Sequence, residues 1–232
     1  SVNPLPTASV SPATVSICAG SSTTLTASGG GTYSWSHSLG TNASVTVSPS
    51  STTTYTVTVT SGAGCSATAS RVVTVNPLPN ANITPATASI CDGSSTTLTA
   101  SGGGTYSWSH SLGSSASVTV SPSATTTYTV TVTSGAGCTA TASRVVTVNP
   151  LPTASITPAT ASICDGSSTT LTASGGGTYS WSGGLGNSAS ITVSPSSTTT
   201  YTVTVTSGAG CSATASRQVT VNQLPTVTIA PS

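Results

Sequence analysis

The sequence predicts an all-β chain, three small two-sheet sandwiches in tandem, and three observations carry that expectation. The first is a strict repeat: in a chain of 232 residues, Cys18, Cys91 and Cys164 recur at a spacing of 73, as do Trp35, Trp108 and Trp181. The segment YTVTVTSGAGC stands unchanged at Tyr55–Cys65, Tyr128–Cys138 and Tyr201–Cys211. The second is alternation. Val57 and Val59 alternate with Thr56, Thr58 and Thr60, which places apolar and hydroxyl side chains on opposite faces of a pleated strand. The third is punctuation: clusters of Gly, Pro and Ser interrupt the alternation at the short intervals expected of a small sandwich. Together these give a tandem array of three small β-sandwiches with a 73-residue period. The copies are expected at 1–77, 78–150 and 151–223, and 224–232 reads as the start of a fourth, as in a segment of a longer array.

Each element of the first copy follows in order. Thr7–Val10 and Thr14–Ile17 read as one edge strand that switches at Pro12, since proline is tolerated at an edge. Thr23–Ala27 is the next strand, with Leu25 and Ala27 inward, and Ser28–Gly31 turns the chain. Tyr33–Ser36 carries Trp35; Ser44–Val47 ends at Pro49; Thr53–Thr60 and Ser66–Val75 form a hairpin around Ser-Gly-Ala-Gly, where glycine supplies positive φ. No helical period is found. The aromatic core is expected from Trp35, Trp108, Trp181, Tyr55, Tyr128 and Tyr201. So small a core gains from a covalent tie or a packed neighbour.

Composition narrows the function classes. Only 2% of residues are charged and the formal net charge is +1. No basic patch exists to neutralise phosphates, so nucleic acid is not an expected partner. No long apolar run is present, so no membrane span is expected in this segment. Each copy carries two cysteines at the same positions and far apart, unlike a zinc site or a redox motif; they suit disulfides and an oxidising, extracellular setting.

The stretches ICAGSSTTLTASGGGTYSWS (Ile17–Ser36), SVTVSPSSTTTYTVTVT (Ser44–Thr60), GCSATAS (Gly64–Ser70) and VNPLP (Val75–Pro79) resemble the tandem immunoglobulin-like and PKD-like repeats of large Bacteroidota cell-surface adhesins. The resemblance covers all three copies. It implies that the three sandwiches are immunoglobulin-like, and that the chain is an extracellular adhesin or stalk at the cell surface, often secreted by the type IX route.

Two cysteine pairings are open. One closes each copy on itself: Cys18–Cys65, Cys91–Cys138 and Cys164–Cys211. The other joins neighbours. The strand before Cys18 and the strand after Cys65 each run about ten residues, roughly 33 Å, which puts the two cysteines at opposite poles of a copy. A disulfide needs Cα atoms within about 7 Å. The short, proline-stiffened joint Asn76–Pro79 brings the poles of successive copies together. The geometric expectation is therefore Cys18–Cys138 and Cys91–Cys211, with Cys65 and Cys164 paired outside the segment or free.

No catalytic, cofactor or metal site is expected. Each copy offers at most one Asp, one His and one Arg; His37 and His110 become Gly183, and Asp92 and Asp165 correspond to Ala19. A Ser-His-Asp site and a calcium joint both need more convergent groups than this. Arg71, Arg144 and Arg217 read as strand charges that discourage sheet association, or as cations stacked on a joint aromatic. The Trp residues could bind sugars, but the core is the expected place. The Thr rows (Thr54, Thr56, Thr58, Thr60) resemble ice-binding arrays and are more simply strand formers. Asn42-Ala43-Ser44 and Asn82-Ile83-Thr84 match the N-glycan sequon. The expected function is a non-enzymatic structural spacer or stalk of a repetitive fibre or adhesin. Its partners are neighbouring repeats of the same chain, with other fibre copies or surface glycans beyond them. The alternatives are a weak multivalent glycan binder and a laterally polymerising filament subunit.

Overall fold

The structure is a computed structural model that describes residues 2–226. Residues 227–232, most of the fourth-copy start expected at 224–232, lie outside the described residues. The first copy forms β1 (Ser9–Ser11), β2 (Val15–Cys18), β3 (Thr23–Ser28), β4 (Thr32–Trp35), β5 (Ser44–Val47), β6 (Thr53–Thr60) and β7 (Ser66–Asn76). The second repeats them as β8 (Asn82–Thr84), β9 (Ala88–Cys91), β10 (Thr96–Ser101), β11 (Thr105–Trp108), β12 (Ser117–Val120), β13 (Thr126–Thr133) and β14 (Thr139–Asn149). The third has β15 (Ser155–Thr157), β16 (Ala161–Cys164), β17 (Thr169–Ser174), β18 (Thr178–Trp181), β19 (Ser190–Val193), β20 (Thr199–Thr206) and β21 (Ser212–Asn222). Among the described residues the one helical element is a 3-10 turn at Ser182–Gly184.

The fold is all-β, three repeated immunoglobulin-like two-sheet sandwiches. In the first copy one sheet has the order β1-β3-β5 and the other β2-β7-β6-β4; the third copy repeats this as β15-β17-β19 and β16-β21-β20-β18. The first strand is split between the sheets. β1 pairs antiparallel with β3, the chain passes Pro12, and β2 joins the facing sheet parallel to β7. Proline, which has no N–H to donate, sits where the first pairing ends. The β6–β7 hairpin is continuous from Thr53↔Val73 to Thr60↔Ser66, with no bulge.

By packing, the described chain falls into two compact units. One holds the described chain through Thr84 with 99–118 and 128–143; the other holds 85–98, 119–127 and the described chain from Arg144 onward. In the first, β8 pairs with β10 and β11 with β13. In the second, β9 runs parallel to β14, as β16 does to β21.

Alternation dictates what is buried. In the first copy Val10, Val15, Leu25, Ala27, Trp35, Val45, Val47, Tyr55, Val57, Val59 and Val73 form the core, with Tyr33 partly buried against it. Each core tryptophan donates its indole N–H to a nearby loop carbonyl: Trp35 to Asn42, Trp108 to Ser115 and Trp181 to Ser188, each at 2.9 Å. That bond satisfies the one polar atom of the ring.

The outer faces carry hydroxyls that pair with one another across strands. Ser9 meets Ser28 at 2.7 Å, Thr26 meets Ser44 at 2.9 Å and Thr56 meets Ser70 at 2.8 Å. The Thr rows thus spend part of their hydrogen-bonding capacity inside the sheet.

The third copy departs from the other two at its aromatic core. Tyr55 and Tyr128 are buried, whereas Tyr201 is only half-buried. The cause is the loop after the tryptophan strand. The rings of His37 and His110 lie 5.0 and 5.1 Å from those of Tyr55 and Tyr128, and the third copy has Gly183 there instead. The backbone there is left-handed in all three copies. His37 and Ser38 sit at φ +57° and +56°, and Gly183 and Gly184 at +69° and +71°. Glycine occupies that region without strain, while His and Ser do so at a cost that the ring contact offsets.

Candidate functional site: the disulfide joints

Among the described residues no group of three or more His, Cys, Asp or Glu side chains comes together. The groups that do converge across copies are cysteines, each beside the carbonyl of a joint asparagine.

Consider the joint that follows the first copy. Because β2 runs parallel to β7, Cys18 lies opposite Asn76 in the register. The N–H of Ala19 donates to the Asn76 carbonyl at 2.8 Å, fixing the end of β2 there. The other cysteine comes from the β13–β14 turn. Ser134 N–H donates to Cys138 O (2.8 Å) and Gly137 N–H to Ser134 O (2.9 Å); Cys138 N–H donates to Ser134 Oγ (3.2 Å). Gly137 takes φ +80°, which an L side chain adopts only with strain. This tight turn points Cys138 at the joint, its Sγ 4.0 Å from Asn76 O. The structure joins Cys18 to Cys138, with S–S 1.97 Å and Cα–Cα 5.5 Å, and Cys138 is fully buried.

The next joint is built the same way in the second unit. Asp92 N–H donates to Asn149 O at 2.9 Å. Cys211 N–H donates to Ser207 Oγ at 3.2 Å, and Cys211 Sγ is 3.9 Å from Asn149 O. Cys91 is joined to Cys211 with Cα–Cα 5.5 Å. Cys65 and Cys164 are free thiols, Cys65 partly and Cys164 openly exposed.

A second device sits at the strand switch. Arg71 directs one Nη to the carbonyl of Ala13 and the other, at 2.8 Å, to that of Val10. Arg217 does the same with Ala159 and, at 3.1 Å, Ile156, and Arg144 donates to Ala86. This revises both expectations for these residues. The stretch of β7 before Val73 has no strand on its second side, but the arginine does not present its charge outward there. Its inward parity opposite Tyr55 carries the guanidinium to the carbonyls that the β1–β2 switch leaves without ladder partners. Five fixed N–H donors suit that task. Sequence reasoning missed this because the partners lie 58 and 61 positions away and are backbone atoms, invisible in side-chain patterning.

The outer wall of the same region is a shallow groove of about 460 Å³, lined by residues including Ala13, Ser16, Arg71 and Thr74. It contains no convergent reactive groups.

No family model matches the sequence, and no curated protein matches it. Solved structures resembling the chain are tandem immunoglobulin domains. An I-band fragment from titin is 14% identical, with 94% of this chain and 98% of that chain covered and a TM-score of 0.45. The three N-terminal domains of the bacteriophage RB49 outer capsid protein Hoc are 17% identical, covering 95% and 100%, with a TM-score of 0.40. The N-terminal eight immunoglobulin domains of Down Syndrome Cell Adhesion Molecule are 16% identical, covering 90% of this chain and 36% of that one, with a TM-score of 0.47. All three scores lie below about 0.5, and the fold assignment rests on the strand order and register above.

Proposed function

We propose that this chain is a stiff, extension-resistant segment of a repetitive extracellular fibre or adhesin at a cell surface. Its units are the repeats 1–77, 78–150 and 151–223, with 224–232 beginning a fourth. Tandem immunoglobulin-like repeats and two disulfides fit a structural spacer or adhesion segment, and disulfides fit an oxidising environment. No helix among the described residues is long and apolar enough to cross a membrane.

The observation that carries the reading is connectivity. The loop closed by Cys18–Cys138 contains Cys91, and the loop closed by Cys91–Cys211 contains Cys138. The two loops interlace. A single backbone break anywhere between Cys18 and Cys211 therefore leaves one covalent piece. A chain that transmits load or survives outside the cell benefits from that redundancy, whereas a soluble binding module has no need of it.

The test is a cut at a joint. A protease recognition sequence is inserted at Leu78, which is 48% exposed, and the oxidised protein is cleaved there. We expect one band without reductant and two with it. If the halves separate without reductant, the cysteines close within copies and the stapled-spacer reading fails.

A further inference from the structure

We infer that Cys65 and Cys164 are two complementary half-joints, each shaped to take the opposite cysteine of a further copy of this repeat. The inference rests on the stapled-repeat reading above and extends it to the two thiols that reading leaves over.

Each formed joint has three parts. The first is a strand-end cysteine (Cys18 or Cys91). The second is an asparagine carbonyl that receives the N–H of the residue after it. The third is a turn cysteine (Cys138 or Cys211) whose Sγ lies 4.0 or 3.9 Å from that same carbonyl. The asparagines, Asn3, Asn76, Asn149 and Asn222, recur with the same 73-residue period. Cys65 has the turn half of this set: its Sγ lies 3.9 Å from Asn3 O, and its turn makes the same Ser61 N–H to Cys65 O bond at 2.8 Å. Cys164 has the strand-end half. It lies opposite Asn222 in the register, and Asp165 N–H donates to Asn222 O at 3.0 Å.

Two independent observations mark them as halves of a joint. The first is accessibility. Joined turn cysteines are buried, Cys138 at 0% and Cys211 at 1% exposure, whereas the free turn cysteine Cys65 is partly exposed; joined strand-end Cys18 and Cys91 are half-buried, whereas the free strand-end Cys164 is open. The second is the serine of the turn. Ser134 and Ser207 accept the cysteine N–H through Oγ where the disulfide is formed, whereas Ser61 Oγ is buried without a partner beside the free Cys65. The geometry is polar: a strand-end thiol fits a turn thiol, and like ends do not match.

The chemistry is thiol–disulfide exchange with a low-molecular-weight disulfide such as oxidised glutathione. The Cys164 thiolate attacks glutathione disulfide, forming a mixed disulfide and releasing one glutathione thiolate. The Cys65 thiolate of the further copy then attacks the Cys164 sulfur, forming Cys164–Cys65 and releasing the second glutathione. The two electrons pass to glutathione, and the protons from the two thiols end on the two released glutathiones.

The test uses Cys65→Ser and Cys164→Ser, neither of which touches an existing disulfide. In glutathione redox buffer the parent protein should build a ladder of covalent multimers. Each variant alone should stay monomeric. The mixed variants should give one dimer, whose peptide map links Cys164 to Cys65 in about tenfold or greater excess over either homotypic link. Homotypic links forming as readily, or no link at all, overturn the inference. The same map reads Cys18–Cys138 and Cys91–Cys211: if these are present and the mixed dimer is not, the inference alone falls, and if they are absent the spacer reading falls with it. A second arm separates the sources of the further copy. In a four-copy chain with 78–150 repeated after 223, Cys164 should pair with the turn cysteine of the added copy inside one polypeptide; a Cys164 still free there overturns the inference as well.

Discussion

Pulling the chain from its two ends would read the cysteine connectivity as a length. With both disulfides intact, the shortest covalent route from Cys18 to Cys211 crosses to Cys138, runs back to Cys91 and crosses again. That leaves roughly 47 residues, about 160 Å when fully extended, against roughly 193 residues and about 670 Å after reduction. Wild type alone does not separate the two pairings, because three disulfides within copies would leave roughly 52 residues, nearly the same extended length. Single substitutions do. Replacing Cys138 by Ser leaves only Cys91–Cys211, and the route grows to roughly 73 residues, a gain of about 90 Å. Replacing Cys65 by Ser should change nothing, since that thiol is free. Pairing within copies makes the two variants alike: each loses a loop of roughly 47 residues and lengthens by about 160 Å. Single-molecule force extension with reductant-free handles resolves these values. An extension of the Cys65→Ser protein beyond the parent refutes the interlaced arrangement.

Four further substitutions probe the sandwich itself by urea denaturation and side-chain labelling. Gly31→Ala should be far more damaging than Gly30→Ala. A Cβ at Gly31 would stand 2.1 Å from the Thr60 carbonyl oxygen, whereas one at Gly30 meets nothing within 4 Å. The first should cost on the order of 3 kcal/mol through forced backbone movement and the second about 1 kcal/mol for the left-handed conformation; equal losses would contradict the close approach. Arg71→Lys should lower stability by about 2 kcal/mol, because one ammonium cannot span the two carbonyls that the guanidinium serves; a neutral result would show that the strand switch needs no clamp. His37→Gly should change stability by less than about 1 kcal/mol, relief of positive φ offsetting the lost ring contact. It should also make Tyr55 as open to nitration as Tyr201, and an unchanged Tyr55 would mean that something other than the histidine covers it.

Much of the fold was legible because this sequence repeats its own evidence. The Thr/Val alternation sets β6 and the hydroxyl-rich β7 in register, and Pro12 marks the switch between sheets, since a residue without an N–H ends one ladder and frees the chain to enter another. What stayed hidden depends on distance or on backbone atoms. The partners of Arg71 are carbonyls, so no side-chain pattern announces them. The half-exposure of Tyr201 follows from one histidine-to-glycine difference whose effect appears only when the loop folds back on the ring. The pairing of outward hydroxyls, Thr56 with Ser70 or Thr26 with Ser44, needs the cross-strand register and cannot be read from either strand alone. At the joints, spacing could place cysteines at poles, but the part of the asparagine carbonyl between them was not visible in sequence. It emerges only from the parallel pairing of β2 with β7.

The placement of the sulfurs answers a weakness that composition creates. A sandwich of about 73 residues whose core is mostly Val and Ala with one Leu, one Trp and one Tyr buries little surface for its length, and two charged types in such small numbers cannot add ion-pair networks. A disulfide inside one copy would restrain that copy alone. The middle copy is instead held through Cys138 to Cys18 and through Cys91 to Cys211. If it opens, both of its cysteines stay tied to sandwiches that are still folded. The opened segment is then a loop pinned at each end, with less freedom to gain than a free chain, and it closes without searching for its neighbours. Restraint at the joints therefore acts most strongly on local opening, the event that precedes both proteolysis and extension under load.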